Sequence, residues 1–341
     1  MIDFLKLNNF RKFQEIQFKF NRPLIIFVGP NATGKTSVLE AIYLIATTKS
    51  HRTSELEALI YENEPFAKIE LQCIKNLKLI LTKTGKQGFV NEAYFSKTSE
   101  FIGEVSVVMV SPSDIDLILG TKSIRRRFLD LELSLLDKSY LRSVMVYKKI
   151  LKERNEILKI YTKDQEIILN VLTNQLIEQL HIIFKKRTDF LDTLNLKLSA
   201  VCKNLNCEEI KLTYIPSYDI QNVEESYHSK LKYDILTKTT NIGIHRDDFS
   251  IKINELFAKD YASEGQMRNA VLAIKLALLD LYKMKNKDSI LLLDDVFSSI
   301  DQKRINHILE YIKNEPQTFI TTTSIFNIPD VLLKDAQIIK L

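Results

Sequence analysis

The segment Gly29-Pro30-Asn31-Ala32-Thr33-Gly34-Lys35-Thr36 constrains this chain more than any other. It matches GxxxxGK[ST] in full, and its flanks are those such a loop requires. Before it, Leu24-Ile25-Ile26-Phe27-Val28 is a continuous apolar run, as in a strand buried on both faces. After it, Ser37-Val38-Leu39-Glu40-Ala41-Ile42-Tyr43 reads as a helix. Strand, loop and helix together would set backbone N–H groups and a helix N-terminus around a phosphate. The amides from Asn31 to Lys35 would surround the β-phosphate of ATP. Lys35 would reach the β- and γ-phosphates, Thr36 would hold Mg2+, and Ser37 completes the nucleotide-binding set. Gly34 permits close backbone approach.

A second apolar run, Ile290-Leu291-Leu292-Leu293, ends in Asp294-Asp295. An unpaired carboxylate after such a run is costly, and a metal beside a phosphate loop explains it. Asp294 is assigned to Mg2+ through water, and Asp295 to the catalytic water. Aspartate is a weak base at its ordinary pKa, which predicts slow hydrolysis.

Between the two runs lies Ser263-Glu264-Gly265-Gln266. It reads as a helix start, with Ser263 as N-cap and Gln266 as its capping-box partner. It also reads as a signature segment, in which Ser263 and Gly265 contact the γ-phosphate held by a second subunit. The order of the three motifs favours an ATPase that closes as a dimer around its nucleotide. On that reading Asp301, after Ser298-Ser299-Ile300, bridges to the partner's phosphate loop, and the end of Phe319-Ile320-Thr321-Thr322-Thr323 offers hydroxyls as a γ-phosphate sensor. Arg11, between Asn9 and Lys12, is placed at the adenine or a phosphate.

The span from the phosphate loop to the acidic pair is too long for one compact nucleotide-binding fold. A chain of 341 residues, 45% of them hydrophobic, suits two domains or lobes. Alternation at Ile16, Phe18 and Phe20, at Ile69, Leu71 and Cys73, and at Leu77, Leu79 and Leu81 predicts strands. From 123 to about 205 there is neither proline nor glycine, which predicts long helices. Strand character resumes at Lys211 to Ile215. The expected architecture is an α/β ATPase core made of 1–120 and 206–341, interrupted by a helical lobe over 121–205.

The net charge of +5 permits nucleic-acid binding without requiring it. Within 122–154, ten Lys or Arg stand against four Asp or Glu, so phosphate neutralisation is centred there. Arg125, Arg126, Arg127, Lys148 and Lys149 are the DNA-binding candidates. Nothing resembles a base-reading module, so recognition would be through the backbone. Cys73, Cys202 and Cys207 form no CxxC pair, which argues against a zinc site and fits a reducing compartment. Neither a signal peptide nor a membrane span is expected.

These motifs resemble, over nearly the whole chain, the RecF family of bacterial DNA repair ATPases. The resemblance rests on Asn9-Phe10-Arg11, Gly29 to Thr36, Ser111-Pro112-Ser113-Asp114 and Arg125-Arg126-Arg127-Phe128-Leu129-Asp130. It continues through His245-Arg246-Asp247-Asp248, Ser263 to Gln266 and Leu293-Asp294-Asp295. It implies an ABC-type P-loop ATPase core like the heads of Rad50 and chromosome-structuring (SMC) ATPases, with an inserted, mainly helical lobe and no long arms. It further implies ATP and Mg2+ as cofactors, ATP-dependent homodimerisation, and DNA binding as a clamp with weak, DNA-stimulated hydrolysis. RecO and RecR are the implied partners, with RecA loading at single-strand gaps as the outcome in the cytoplasm. Rivals are a nuclease-associated or chromosome-structuring ATPase and a transporter ATPase subunit. Glu264, Met267 and Ile300 depart from the residues usual in the family, and no glutamine loop is found.

Overall fold

The structure is a computed structural model describing residues 1–95, 101–285, 289–298 and 302–341. The chain divides into two compact units, Met1–Asp114 with Leu272–Leu341, and Ile115–Val271.

The first unit holds two sheets. In one, β1 (Phe4–Phe10), β2 (Phe13–Lys19), β4 (Phe66–Gln72), β5 (Asn76–Thr82), β6 (Gly85–Val90) and β7 (Ala93–Phe95) run antiparallel in the order β2-β1-β4-β5-β6-β7. In the other, β3 (Leu24–Val28), β8 (Ser106–Val110), β12 (Ser289–Asp294), β13 (Gln317–Thr322) and β14 (Gln337–Lys340) run parallel in the order β14-β3-β13-β12-β8. Alternation along β4 and β5 marks a sheet with one buried face, whereas β8, β12 and β13 are buried at every residue. The helix Lys35–Thr47 contributes Val38, Leu39, Ala41 and Ile42 to one core with Leu5, Leu7, Ile69 and Leu79 of the antiparallel sheet and Phe27, Leu292 and Phe319 of the parallel one. β3 and β12, whose ends carry the phosphate loop and the acidic pair, both flank β13.

The second unit is built on helices Lys122–Leu136, Lys138–Lys159, Glu166–Leu205 and Val223–Thr237, with a small antiparallel sheet of β9 (Ile210–Ile215), β10 (Asp248–Ile253) and β11 (Leu256–Phe257). The expected boundaries at 120 and 206 differ from this division. β9 pairs with β10 along its whole length, from Ile210↔Ile253 to Asp248↔Ile215, so 206–271 stays with the helices. The helix Val223–Thr237 was not foreseen.

By length and composition Lys163–Leu205 could cross a membrane. Its buried residues, however, recur at three and four spacing (Leu169, Leu172, Leu176, Leu180, Ile183, Arg187), the stripe of a core helix. A fully buried arginine in that stripe anchors it. Arg187 donates to Asp130 (2.8 Å), Tyr214 Oη (2.9 Å), Tyr140 Oη (3.0 Å) and the Ile244 carbonyl (3.1 Å).

Candidate active site

The phosphate loop takes the shape its sequence requires. Gly34 has φ of 104°, and a Cβ there would come within 2.4 Å of the Phe13 ring. A Cβ on Gly29 would meet the Leu341 carbonyl oxygen at 2.4 Å. Both positions therefore demand glycine. Lys12 Nζ donates to the Ala32 carbonyl at 2.6 Å and pins the loop from outside. Lys35 Nζ donates to the Gly29 and Pro30 carbonyls, each at 2.7 Å, so its ammonium is held at the loop. Burial lowers the Lys35 pKa, against the raising effect of Asp295 and Asp294.

The two distant motifs meet in one hydrogen bond. Thr36 Oγ1 donates to Asp294 Oδ1 at 2.9 Å, and Thr321 Oγ1 donates to the same oxygen at 2.7 Å. A threonine whose proton goes to a carboxylate keeps its lone pairs for a cation. Asp295 has φ of 50°, a left-handed conformation that aspartate tolerates. Its amide donates to the carbonyl (3.2 Å) and hydroxyl (3.0 Å) of Thr321. Loop and acidic pair line a cleft of about 680 Å³ with Asn31, Ser37, Arg52 and Thr323. Of the expected sensor hydroxyls, Thr321 is engaged with Asp294 and Thr322 with the Ser324 carbonyl, while Thr323 faces the cleft.

Arg11 lines this cleft, but its guanidinium is committed elsewhere. It makes a two-pronged pair with the buried Glu40 (2.6 and 2.9 Å) and donates to the Ala58 carbonyl at 2.7 Å. With these bonds Arg11 ties the β1–β2 turn to the phosphate-loop helix at the wall of the cleft. Burial pushes the Glu40 carboxyl up, but hydrogen bonds from Arg11 and Ser50 more than offset this and hold it below the ordinary range. Arg52 lies 3.6 Å from Glu40 and is half exposed toward the cleft. Sequence reasoning missed it. The available signal was Glu40 itself, a charge amid helix-core residues that needs a cation nearby.

In the second unit the capping box forms as expected. The Ser263 amide donates to Gln266 Oε1 at 2.9 Å, and the Gln266 amide to Ser263 Oγ at 3.3 Å. Gln266 Nε2 also donates to Glu208 Oε1 at 3.0 Å. Glu264 is paired with Arg268 at 2.6 Å. A Cβ on Gly265 would meet nothing within 4 Å. Asp301 lies outside the described residues.

Two of the DNA-binding candidates are structural. Arg125 forms a two-pronged pair with Asp248 (2.7 and 3.0 Å), and Arg126 donates to the Asp247 carbonyl at 2.8 Å. The His245–Asp248 run supplies these partners. His245 Nδ1 lies 2.9 Å from Tyr147 Oη, and Asp247 accepts from Tyr214 Oη and the Ser217 amide. Arg127 is exposed, as are Lys148, 3.4 Å from Asp130, and Lys149, 3.9 Å from Glu153.

Comparison with known proteins bears on this geometry. The family model described as the RecF/RecN/SMC N-terminal domain matches residues 1–328. A DNA replication and repair protein RecF from Acholeplasma laidlawii is 41% identical, covering 94% of this chain and 93% of its own. Its namesake from Shouchella clausii is 37% identical over 98% and 96%. Among solved structures, the recombination mediator protein RecF with ATP superposes with a TM-score of 0.89 at 29% identity, over 96% of this chain and 93% of its own. The head domain of an Smc protein from Pyrococcus furiosus, at 16% identity and a TM-score of 0.54 over 99% and 92%, shares the fold alone. The architecture is thus an ABC-type, SMC-head-like P-loop ATPase core with an inserted, mainly helical lobe.

Proposed function

The chain belongs to the RecF family of DNA repair ATPases, and we propose that it acts as an ATP-gated DNA clamp at replication gaps and stalled forks. The observation that carries this is the Thr36–Asp294 hydrogen bond, which joins two motifs 258 residues apart into one nucleotide cleft.

In the proposed cycle the loop amides and Lys35 bind the β- and γ-phosphates of ATP. Thr36 would hold Mg2+ directly and Asp294 through water. Mg2+ fits that setting, because it takes few protein ligands and completes its shell with phosphates and water. When bound, it neutralises charge building on the γ-phosphate. Asp295 would orient the attacking water and is a weak base, which predicts slow turnover.

Ser263 and Gly265 of a second copy would close over the γ-phosphate, so that ATP joins two copies. The joined pair presents Arg127, Lys148 and Lys149 to the DNA backbone, and hydrolysis resets the clamp. On this proposal the chain works with RecO and RecR to help load RecA in the cytoplasm, as the family resemblance implies.

The test is the mass in solution with ATP and Mg2+, with and without gapped duplex, for the native chain and Ser263→Arg. A native dimer that binds DNA more tightly, and that the variant cannot form, is the expected result. A monomer that still hydrolyses ATP would overturn the proposal.

A further inference from the structure

The long helix Glu166–Leu205 ends in a Schellman motif. The Asn206 amide donates to the Lys203 carbonyl at 3.2 Å, the Cys207 amide donates to the Cys202 carbonyl at 3.0 Å, and Asn206 has φ of 48°. In this motif the residues joined by the outer bond stand side by side and usually make an apolar contact. Here those two residues are both cysteines. Cys202 is buried in the last turn, Cys207 is partly exposed, and no disulfide joins them. The backbone bond between them sets the two side chains on the same side of the helix end, and hydrogen bonding to Cys207, together with burial, pushes the Cys202 thiol up. Cys207 is the more accessible sulfur and the one an oxidant reaches first.

The next residue, Glu208, accepts from Gln266 Nε2 at 3.0 Å, and Gln266 closes the capping box with Ser263. A continuous path therefore runs from the thiol pair to the signature segment.

We propose that Cys202 and Cys207 form a reversible disulfide under peroxide, and that this oxidation loosens the signature segment. The consequence for dimerisation rests on the clamp reading above. The Cys207 thiolate attacks hydrogen peroxide, forming the sulfenic acid and releasing hydroxide. The Cys202 thiol, giving up its proton, then attacks the Cys207 sulfur and water leaves. Overall, two thiols and one peroxide give one disulfide and two waters. The S–S bond, about 2.05 Å, is far shorter than a thiol–thiol contact. Cys202 is fixed in the packed helix, so the segment beyond Asn206 moves, drawing Glu208 from Gln266. Loss of that hydrogen bond to a carboxylate corresponds to roughly tenfold in the affinity it supports.

The experiment treats the full-length native chain, Cys202→Ser and Cys207→Ser with hydrogen peroxide, then with dithiothreitol. Three quantities are read: intact mass, hydrogen exchange over the peptide containing 263–270, and ATP-dependent dimerisation. The native chain is expected to lose two hydrogens in mass, exchange faster at 263–270 and dimerise roughly tenfold more weakly, with full recovery on reduction. The serine variants are expected to dimerise like the reduced native chain and to show neither change. Absence of the disulfide, or a disulfide with unchanged exchange at 263–270, overturns the proposal. If the reduced native chain fails to dimerise with ATP, the clamp reading falls, while mass and exchange still decide the thiol switch.

Discussion

Gly34 and Gly265 both stand at helix starts, yet the chain uses them differently. At Gly34 its own packing enforces glycine, through a left-handed backbone and the Phe13 ring; at Gly29 the Leu341 carbonyl does the same. Around Gly265 there is open space, and the capping box is already satisfied by Ser263 and Gln266. The phosphate loop is finished by its own unit. The signature segment is complete as a helix start while its glycine serves no local need, which fits contact with something outside the unit.

The largest effect is expected at the finished site. Lys35→Ala removes the ammonium held by the Gly29 and Pro30 carbonyls and should weaken ATP binding roughly 100-fold or more, read by nucleotide titration. The Tm without nucleotide should barely move. Ordinary ATP affinity in this variant would show that the loop amides suffice without Lys35.

The glycine pair comes next. Gly34→Ala should cost roughly 2 kcal/mol or more in urea unfolding, because alanine resists the left-handed region and meets Phe13. Gly265→Ala should leave stability within about 1 kcal/mol, in the favourable direction expected of alanine in a helix. It should nevertheless reduce ATP-dependent dimerisation. Equal destabilisation by the two substitutions would erase the distinction between these segments.

How much of this was legible in the sequence depended on range. The phosphate loop is a local pattern whose flanking strand and helix confirm it, so its geometry could be read from one stretch. The capping box is equally local. Arg125 and Arg126 misled because a run of like charges shows no partner, and the partners lie at Asp248 and Asp247, more than 120 residues along the chain. The partner of Arg11 was hidden likewise, since Glu40 lies 29 residues along the chain. The boundary near 206 was misplaced because β9 looks the same whether it joins the core sheet or pairs with β10.

That lesson yields a contrast within the arginine run. Arg125→Ala leaves Asp248 without its guanidinium and should cost about 2 kcal/mol in urea unfolding. Arg127→Ala should leave stability unchanged and weaken DNA binding severalfold, with a shallower salt dependence. If Arg127→Ala destabilises as much as Arg125→Ala, the whole run is structural and the DNA surface lies elsewhere.

The smallest effect separates the units by pH. Burial pulls His245 down to about 4, from an ordinary value near 6.5. The unfolded chain therefore binds a proton at this position at a pH where the folded chain does not. That contribution to stability is fully present above about 6.5 and is lost as pH falls toward 4. Between pH 7 and pH 5 the loss should be roughly 1–2 kcal/mol, softened by the ring's partial exposure. His245→Gln keeps a polar side chain beside Tyr147 but cannot titrate, and should flatten this dependence. Hydrogen exchange at pH 5 should rise within Ile115–Val271 and not at the phosphate-loop helix. A rise confined to the phosphate-loop helix would instead place the pH-sensitive group beside that helix, where His51 packs on Tyr43 and is also held down by burial.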